Sequence, residues 1–232
     1  MGKKQFFCVV DTETTVTDKV VDFAAVIVDR KGVIHNTCAV LVRDVWGVDE
    51  LFHRVSETGL WSKSNLEQRK ARYSTMVEAG TRTIASVNAV NRWIEKAVGK
   101  YNPILTAYNL AFDVNKCLNT AIDLAPFTDR FCLWGAAVGN ICQTKAYRDF
   151  ALNHHLFNGR TEHGNMTYST KAESVFGYLN GVLVDEPHTA LEDAVDFEVP
   201  ILTHILKKRG WREAVYPYNW KEFQVRDHYK AG

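Results

Sequence analysis

No apolar stretch in the 232 residues approaches the roughly 18 that a membrane-spanning helix needs, so no membrane partner is expected. No CxxC pair occurs either. The five cysteines, Cys8, Cys38, Cys117, Cys132 and Cys142, are scattered and odd in number. That pattern argues against a disulfide framework or a zinc ribbon and suits small buried hydrophobes in a reducing compartment. Neither sign of charge dominates: 28 basic residues against 27 acidic give a net charge of +1. Nucleic acid is thereby neither demanded nor excluded, because acidic metal ligands can offset a basic groove. Repeats, linkers and low-complexity tracts are also missing. The short basic start, Met1 to Lys4, imitates a signal peptide, but Asp11 and Glu13 cut the apolar run Phe6–Val10 after five residues. That is too short for a signal core, and a buried strand in a cytoplasmic protein is the expectation.

What is present, 46% hydrophobic and 24% charged residues, is ordinary for a globular chain. The length suits a single domain over 1–232 with insertions. Phe6–Val10, Val20–Val28 and Val33–Val42 read as three strands, the last two separated by the turn Asp29-Arg30-Lys31-Gly32. Connections this short predict an antiparallel meander. Residues 43–80 lack a clear period and read as mixed loop and helix. Ile84, Val87, Ile94 and Val98 predict a helix over Arg82–Val98 with Gly99 as its C-cap. A strand Ile104–Tyr108, a helix over Val114–Ile122 and a short strand near Arg130–Leu133 follow. Residues 139–168 read as a polar insertion, Ala172–Leu179 as a short helix, and Ala190–Lys208 as a longer one kinked or divided by Pro200. The tail after Trp211 is rich in aromatics and would be a core cap or a self-association surface. Arg69-Lys70-Arg72 and Lys207-Lys208-Arg209 read as solvated helix faces.

Three acidic segments carry the functional signal. In Val10-Asp11-Thr12-Glu13-Thr14, an apolar strand ends in two acids at i and i+2, which project to one face of an extended chain. Such acids repel and lose hydration unless a divalent cation stands between them; solvated acids at a strand end are the alternative. Asp113 follows the Ile104–Tyr108 strand, at the kind of strand end where ligands bind in open sheets, although for an isolated acid a helix N-cap is the more common explanation. Asp193 lies one turn into the Ala190–Lys208 helix, on the stripe of Ala190 and Phe197, with His188 at the helix mouth. An inward acid needs a partner, and a metal would serve; an exposed histidine beside a salt-bridged aspartate is the plain alternative. Cys142, His154, His155 and His163 match no standard zinc spacing, and solvated loop histidines are favoured there.

Taken together, the segments resemble the three motifs of the DEDDh branch of DnaQ-like 3′→5′ exonucleases. Asp11-Thr12-Glu13 matches DxE, Asn109-Leu110-Ala111-Phe112-Asp113 matches Nx2FD, and His188 to Asp193 matches Hx4D. The resemblance spans roughly residues 5–210; it is strong at the motifs and faint between them. It implies an α/β, ribonuclease-H-like fold: a mixed central sheet, with the three-strand meander plus parallel strands, flanked by helices. It further implies hydrolysis of phosphodiesters with two Mg²⁺ or Mn²⁺ ions. Asp11 would bridge the ions, Glu13 and Asp193 would complete one site, and Asp113 would support the other. His188 would act as general base. Thr12, Thr14, Asn109 and Phe112 would meet the terminal nucleotide, with a core role the alternative for Phe112. The expected substrate is a single-stranded 3′ end, DNA ahead of RNA. An RNA-trimming or oligoribonucleotide-degrading enzyme is the nearest alternative, and a catalytically silent nucleic-acid-binding module a more distant one. No segment reads as a polymerase-binding or clamp-binding motif, and homodimerisation is left open.

Overall fold

A computed structural model describes residues 4–48, 63–158 and 165–225. Strands β1 (Phe6–Thr14), β2 (Val20–Asp29) and β3 (Ile34–Val42) form the antiparallel meander, with Asp11 opposite Ala24 and Val26 opposite Thr37. The β2–β3 turn is held by Asp29, whose Oδ1 accepts from the N–H groups of Lys31 and Val33. Gly32 takes the left-handed φ of 79° that the turn requires. Three short parallel strands extend the sheet: β4 (Thr83–Ala85) beside β3, β5 (Ile104–Ala107) beside β1, and β6 (Arg130–Cys132) beside β5. The order is β4-β3-β2-β1-β5-β6. The result is a mixed α/β sheet flanked by helices, as the ribonuclease-H-like expectation requires.

Every residue of β2 is buried, which explains why its sequence is a continuous apolar run instead of an alternating one: both faces of the sheet are covered. On one face, Cys8, Val10, Phe23, Ala25 and Ile27 pack against α1 (Lys63–Glu78), α2 (Val87–Tyr101) and α3 (Leu110–Asn119). On the other, Phe7, Val9, Val26 and Val28 meet α4 (Leu133–Ala137), α5 (Lys145–Asn153), α6 (Ala172–Asn180) and the C-terminal helical segment. Among the described residues no helix is long and apolar enough to cross a membrane.

Three sequence expectations need correction, and a fourth takes a definite form. Residues 83–85 pair with β3 as strand β4, so the predicted helix begins only at Val87, capped by the Ser86 hydroxyl; Ile84 lies on that strand and is exposed. Gly99 does not end it: the helix runs to Tyr101, and Asn102 supplies the left-handed cap before Pro103. The stretch around 139–168 is not a polar insertion throughout, since α5 buries Tyr147 and Ala151 in the main core. The helix expected to be kinked or divided by Pro200 is divided, by a π-helical turn just ahead of the proline. The segment runs α7 (Ala190–Glu192), a π-helical turn Asp193–Glu198, then α8 (Val199–Leu206). Proline has no N–H and its ring crowds the carbonyl four residues back, so a wider turn just ahead of it relieves both constraints.

The aromatic tail is a core cap over its described part. Trp211 and Phe223 are buried in the main core, and Tyr218 packs against it. The tail crosses the π-helical turn Val138–Cys142 that follows α4 so closely that a side chain at Gly139 would strike the Ala214 carbonyl.

Candidate active site

Alternation along β1 decides where its acids point. Phe7, Val9, Asp11 and Glu13 are in phase and look toward the face that carries α7 and α8, whereas Cys8, Val10, Thr12 and Thr14 look toward α3. At the carboxyl ends of β1 and β5 a cavity of about 780 Å³ opens, and Asp11, Glu13, Asn109, His188, Asp193 and Glu198 line it. Asp113 reaches the same acids from the α3 side. It is buried at 2% exposure, and the Thr12 hydroxyl donates to its Oδ1 at 2.8 Å.

The third segment is anchored from outside the motifs. Asp22, the lone acid in the apolar run of β2, accepts the Ala190 N–H at 2.9 Å and so caps α7. It is held in turn by Arg82, whose Nε lies 3.0 Å from Asp22 and whose Nη2 lies 2.5 Å from Glu192. The clamp fixes the helix start, and Asp193 follows one turn later with its N–H on the Thr189 carbonyl at 3.0 Å. His188 precedes it in a left-handed conformation, φ 53°, that turns the chain into the helix. Glu13, His188 and Asp193 each offer one ligand atom within 4.8 Å of the others.

Electrostatics make this a costly arrangement without a cation. Loss of water raises the Asp11 carboxyl well above its usual range, and Glu198, Asp113, Asp193 and Glu13 raise it further. Burial pushes Glu13 to about 8, against the pull of Arg69. Asp193 is pushed to about 9 by burial and then by Glu13 and Glu186. Burial takes Asp113 to about 7 against the hydrogen bonds it accepts. His188 moves the other way, down to about 4, through burial and then Arg69 and Lys171, so its ring is neutral at pH 7. Asp11 Oδ2, Asp193 Oδ1 and Glu198 Oε2 are buried oxygens with no hydrogen-bond partner. Oxygen atoms left in that state fit hard divalent cations, which would satisfy them and keep the acids ionised.

The proposed substrate contacts divide. Asn109 lines the cavity as the left-handed N-cap of α3, so Asp113 is a first-turn residue of that helix and not its cap. Thr12 and Thr14 are buried, and the Thr12 hydroxyl donates to Asp113. Phe112 is 41% exposed and not core, with the Lys116 ammonium 4.9 Å from its ring centre. The zinc alternative has no support among the described residues: Cys142 is buried, His154 and His155 are exposed, and His163 lies outside them.

Several contributors lie outside the motifs. Arg69 is buried beside Glu13, so the basic run on α1 is not wholly a solvated face, although Lys70 and Arg72 are exposed. Arg72 donates to the Pro187 carbonyl at 3.1 Å, joining α1 to the loop that presents His188. Trp134 and Tyr218 form one wall, stacked with centroids 5.1 Å apart.

No known protein-family profile matches the chain, and no curated protein sequence does. Solved structures with a similar chain course include the zinc-bound complex of E. coli exonuclease I with single-stranded DNA, at 15% identity and TM-score 0.47, over 88% of this chain and 40% of that one. The E. coli enzyme with a 5cy-dT13 oligonucleotide matches at 14% and TM-score 0.45, over 88% and 43%. An apo exonuclease I matches at 16% and TM-score 0.47, over 90% and 43%. The chain thus spans less than half the length of these proteins.

Proposed function

We infer that the chain is a divalent-metal-dependent 3′→5′ exonuclease acting on single-stranded nucleic acid. The observation that carries this reading is the convergence of unpartnered, buried carboxylate oxygens from Asp11 and Asp193 on one cavity, together with Glu13 and His188. Asp11, Glu13 and Asp193 would hold Mg²⁺ or Mn²⁺ there, with Asp113 behind them. Bound ions would supply an acidified water and neutralise charge building on the scissile phosphate.

The chain's own groups supply the rest. Neutral at pH 7, the His188 ring would accept the proton of the attacking water as general base. Its lowered basicity comes after burial from Arg69 and Lys171, and a polyanionic substrate in the cavity would offset those cations. Thr12 orients Asp113 through its hydroxyl. The Trp134–Tyr218 wall offers aromatic surface for an unstacked base, which favours a single strand over a duplex.

Incubation of the protein with 3′-labelled single-stranded DNA or RNA in Mg²⁺, Mn²⁺ or EDTA tests the reading. Release of labelled nucleoside monophosphate in either metal and none in EDTA is expected, and the two polymers rank the sugar preference. Release unaffected by EDTA, or no release from either polymer in any metal, would contradict it.

A further inference from the structure

Glu198 belongs to none of the three motifs, yet it lines the cavity and opposes ionisation of Asp11 more strongly than Asp113, Asp193 or Glu13 does. It is 2% exposed. Its Oε1 accepts the Tyr108 N–H at 3.0 Å, just beyond the end of β5, while its Oε2 is buried without a hydrogen-bond partner. After burial, the charges that bear on it most are those of Asp113, Glu186 and Asp193, all acidic. A carboxylate so placed is destabilising unless something positive reaches it. An amide or an apolar side chain would otherwise serve the fold better.

The backbone also brings it there. Residues five apart on an α-helix stand roughly 140° apart around the axis. Asp193 and Glu198 are five apart but are the first and last residues of the π-helical turn, whose wider winding returns them to one side, and both line the cavity.

We propose that Glu198 is a fifth carboxylate of the metal centre, holding through Oε2 an ion shared with Asp11. The Tyr108 N–H fixes the carboxylate through its other oxygen. This inference rests on the metal-centre reading above. The competing role is a buried acceptor that only ties α8 to β5, and glutamine fills that role equally.

Mn²⁺ titrated into the full chain, with the free ion followed by electron paramagnetic resonance, separates the two. The wild type, Asp11→Asn and Glu198→Gln are compared, with thermal unfolding in EDTA as the check on folding. Glu198→Gln is expected to bind one ion fewer, or to bind about tenfold more weakly, while its metal-free melting temperature is unchanged or higher. Wild-type binding by Glu198→Gln, with binding lost in Asp11→Asn, overturns the inference and leaves the centre standing. Failure of the wild type itself to bind overturns both. Should Glu198→Gln unfold, Glu198→Asp keeps the charge and withdraws it by one methylene; weakened Mn²⁺ binding there supports ligation, and unchanged binding opposes it.

Discussion

At Asp11, loss of water and the carboxylates of Glu198, Asp113, Asp193 and Glu13 all act against ionisation, and Glu13 and Asp193 are raised to about 8 and about 9 for related reasons. An acid whose folded-state pKa lies above its unfolded value stabilises the fold below the unfolded pKa and loses that contribution as pH rises through the folded one. His188, lowered to about 4 from 6.5, works in the opposite sense, but only below about pH 6.5. The metal-free protein is therefore expected to lose thermal stability between about pH 7 and about pH 9, and saturating Mg²⁺ to abolish most of that loss. Calorimetry in EDTA and in Mg²⁺ checks this, and a metal-free melting temperature flat across the window would contradict it. The motif acids were legible in the sequence because each breaks an apolar context: Asp11 ends the apolar run Phe6–Val10, and Asp193 sits on a buried stripe. Glu198 was not, because in Val195-Asp196-Phe197-Glu198 it reads as one more helical acid. Its burial depends on a turn wider than the 3.6-residue period that sequence reading assumes.

On the scale of elements, the placement of α7 depends on β2 and on the residue before β4. Arg82 has no exposed side-chain surface and joins Asp22 to Glu192, while Asp22 also caps Ala190. Removing the guanidinium leaves two acids facing each other without a counter-charge, one of them fully buried. Arg82→Met is expected to cost about 3–5 kcal/mol in urea unfolding; a loss under about 1 kcal/mol would show that the clamp contributes little. The two ends of this clamp differ in how visible they are. Asp22 stands out as the one charge in Val20–Val28, whereas Arg82 reads as the first residue of a helix. The meander was legible because its strands are long, apolar and separated by a short polar turn. Strand β4 was not, since three residues carry no period and pairing with β3 alone makes them a strand. The π turn was foreshadowed by Pro200 only as a disturbance of unspecified kind.

Over the whole molecule, a chain with a net charge of +1 concentrates acids in one cavity, where Glu173, Asp185 and Glu186 join the motif residues against Lys171. With these acids ionised the cavity repels a phosphate backbone, and a bound metal is what lets ionised acids and the proposed substrate share it. The tail completes the cavity wall: Tyr218 lies between the Trp134 and Phe223 rings, stacked on each at 5.1 and 5.3 Å. Aromatic content was evident in the sequence, but its destination was not, because it depends on the close crossing at Gly139. The central claim is that these acids cut one nucleotide at a time from a 3′ end. A single-stranded oligonucleotide labelled at its 5′ end, incubated in Mg²⁺ with the wild type or with Asp11→Asn, tests that claim most directly. The account predicts a ladder of labelled products shortened stepwise from the 3′ end by the wild type and none with the variant. Early release of a labelled mononucleotide, internal cuts, or an unchanged ladder from Asp11→Asn would contradict it.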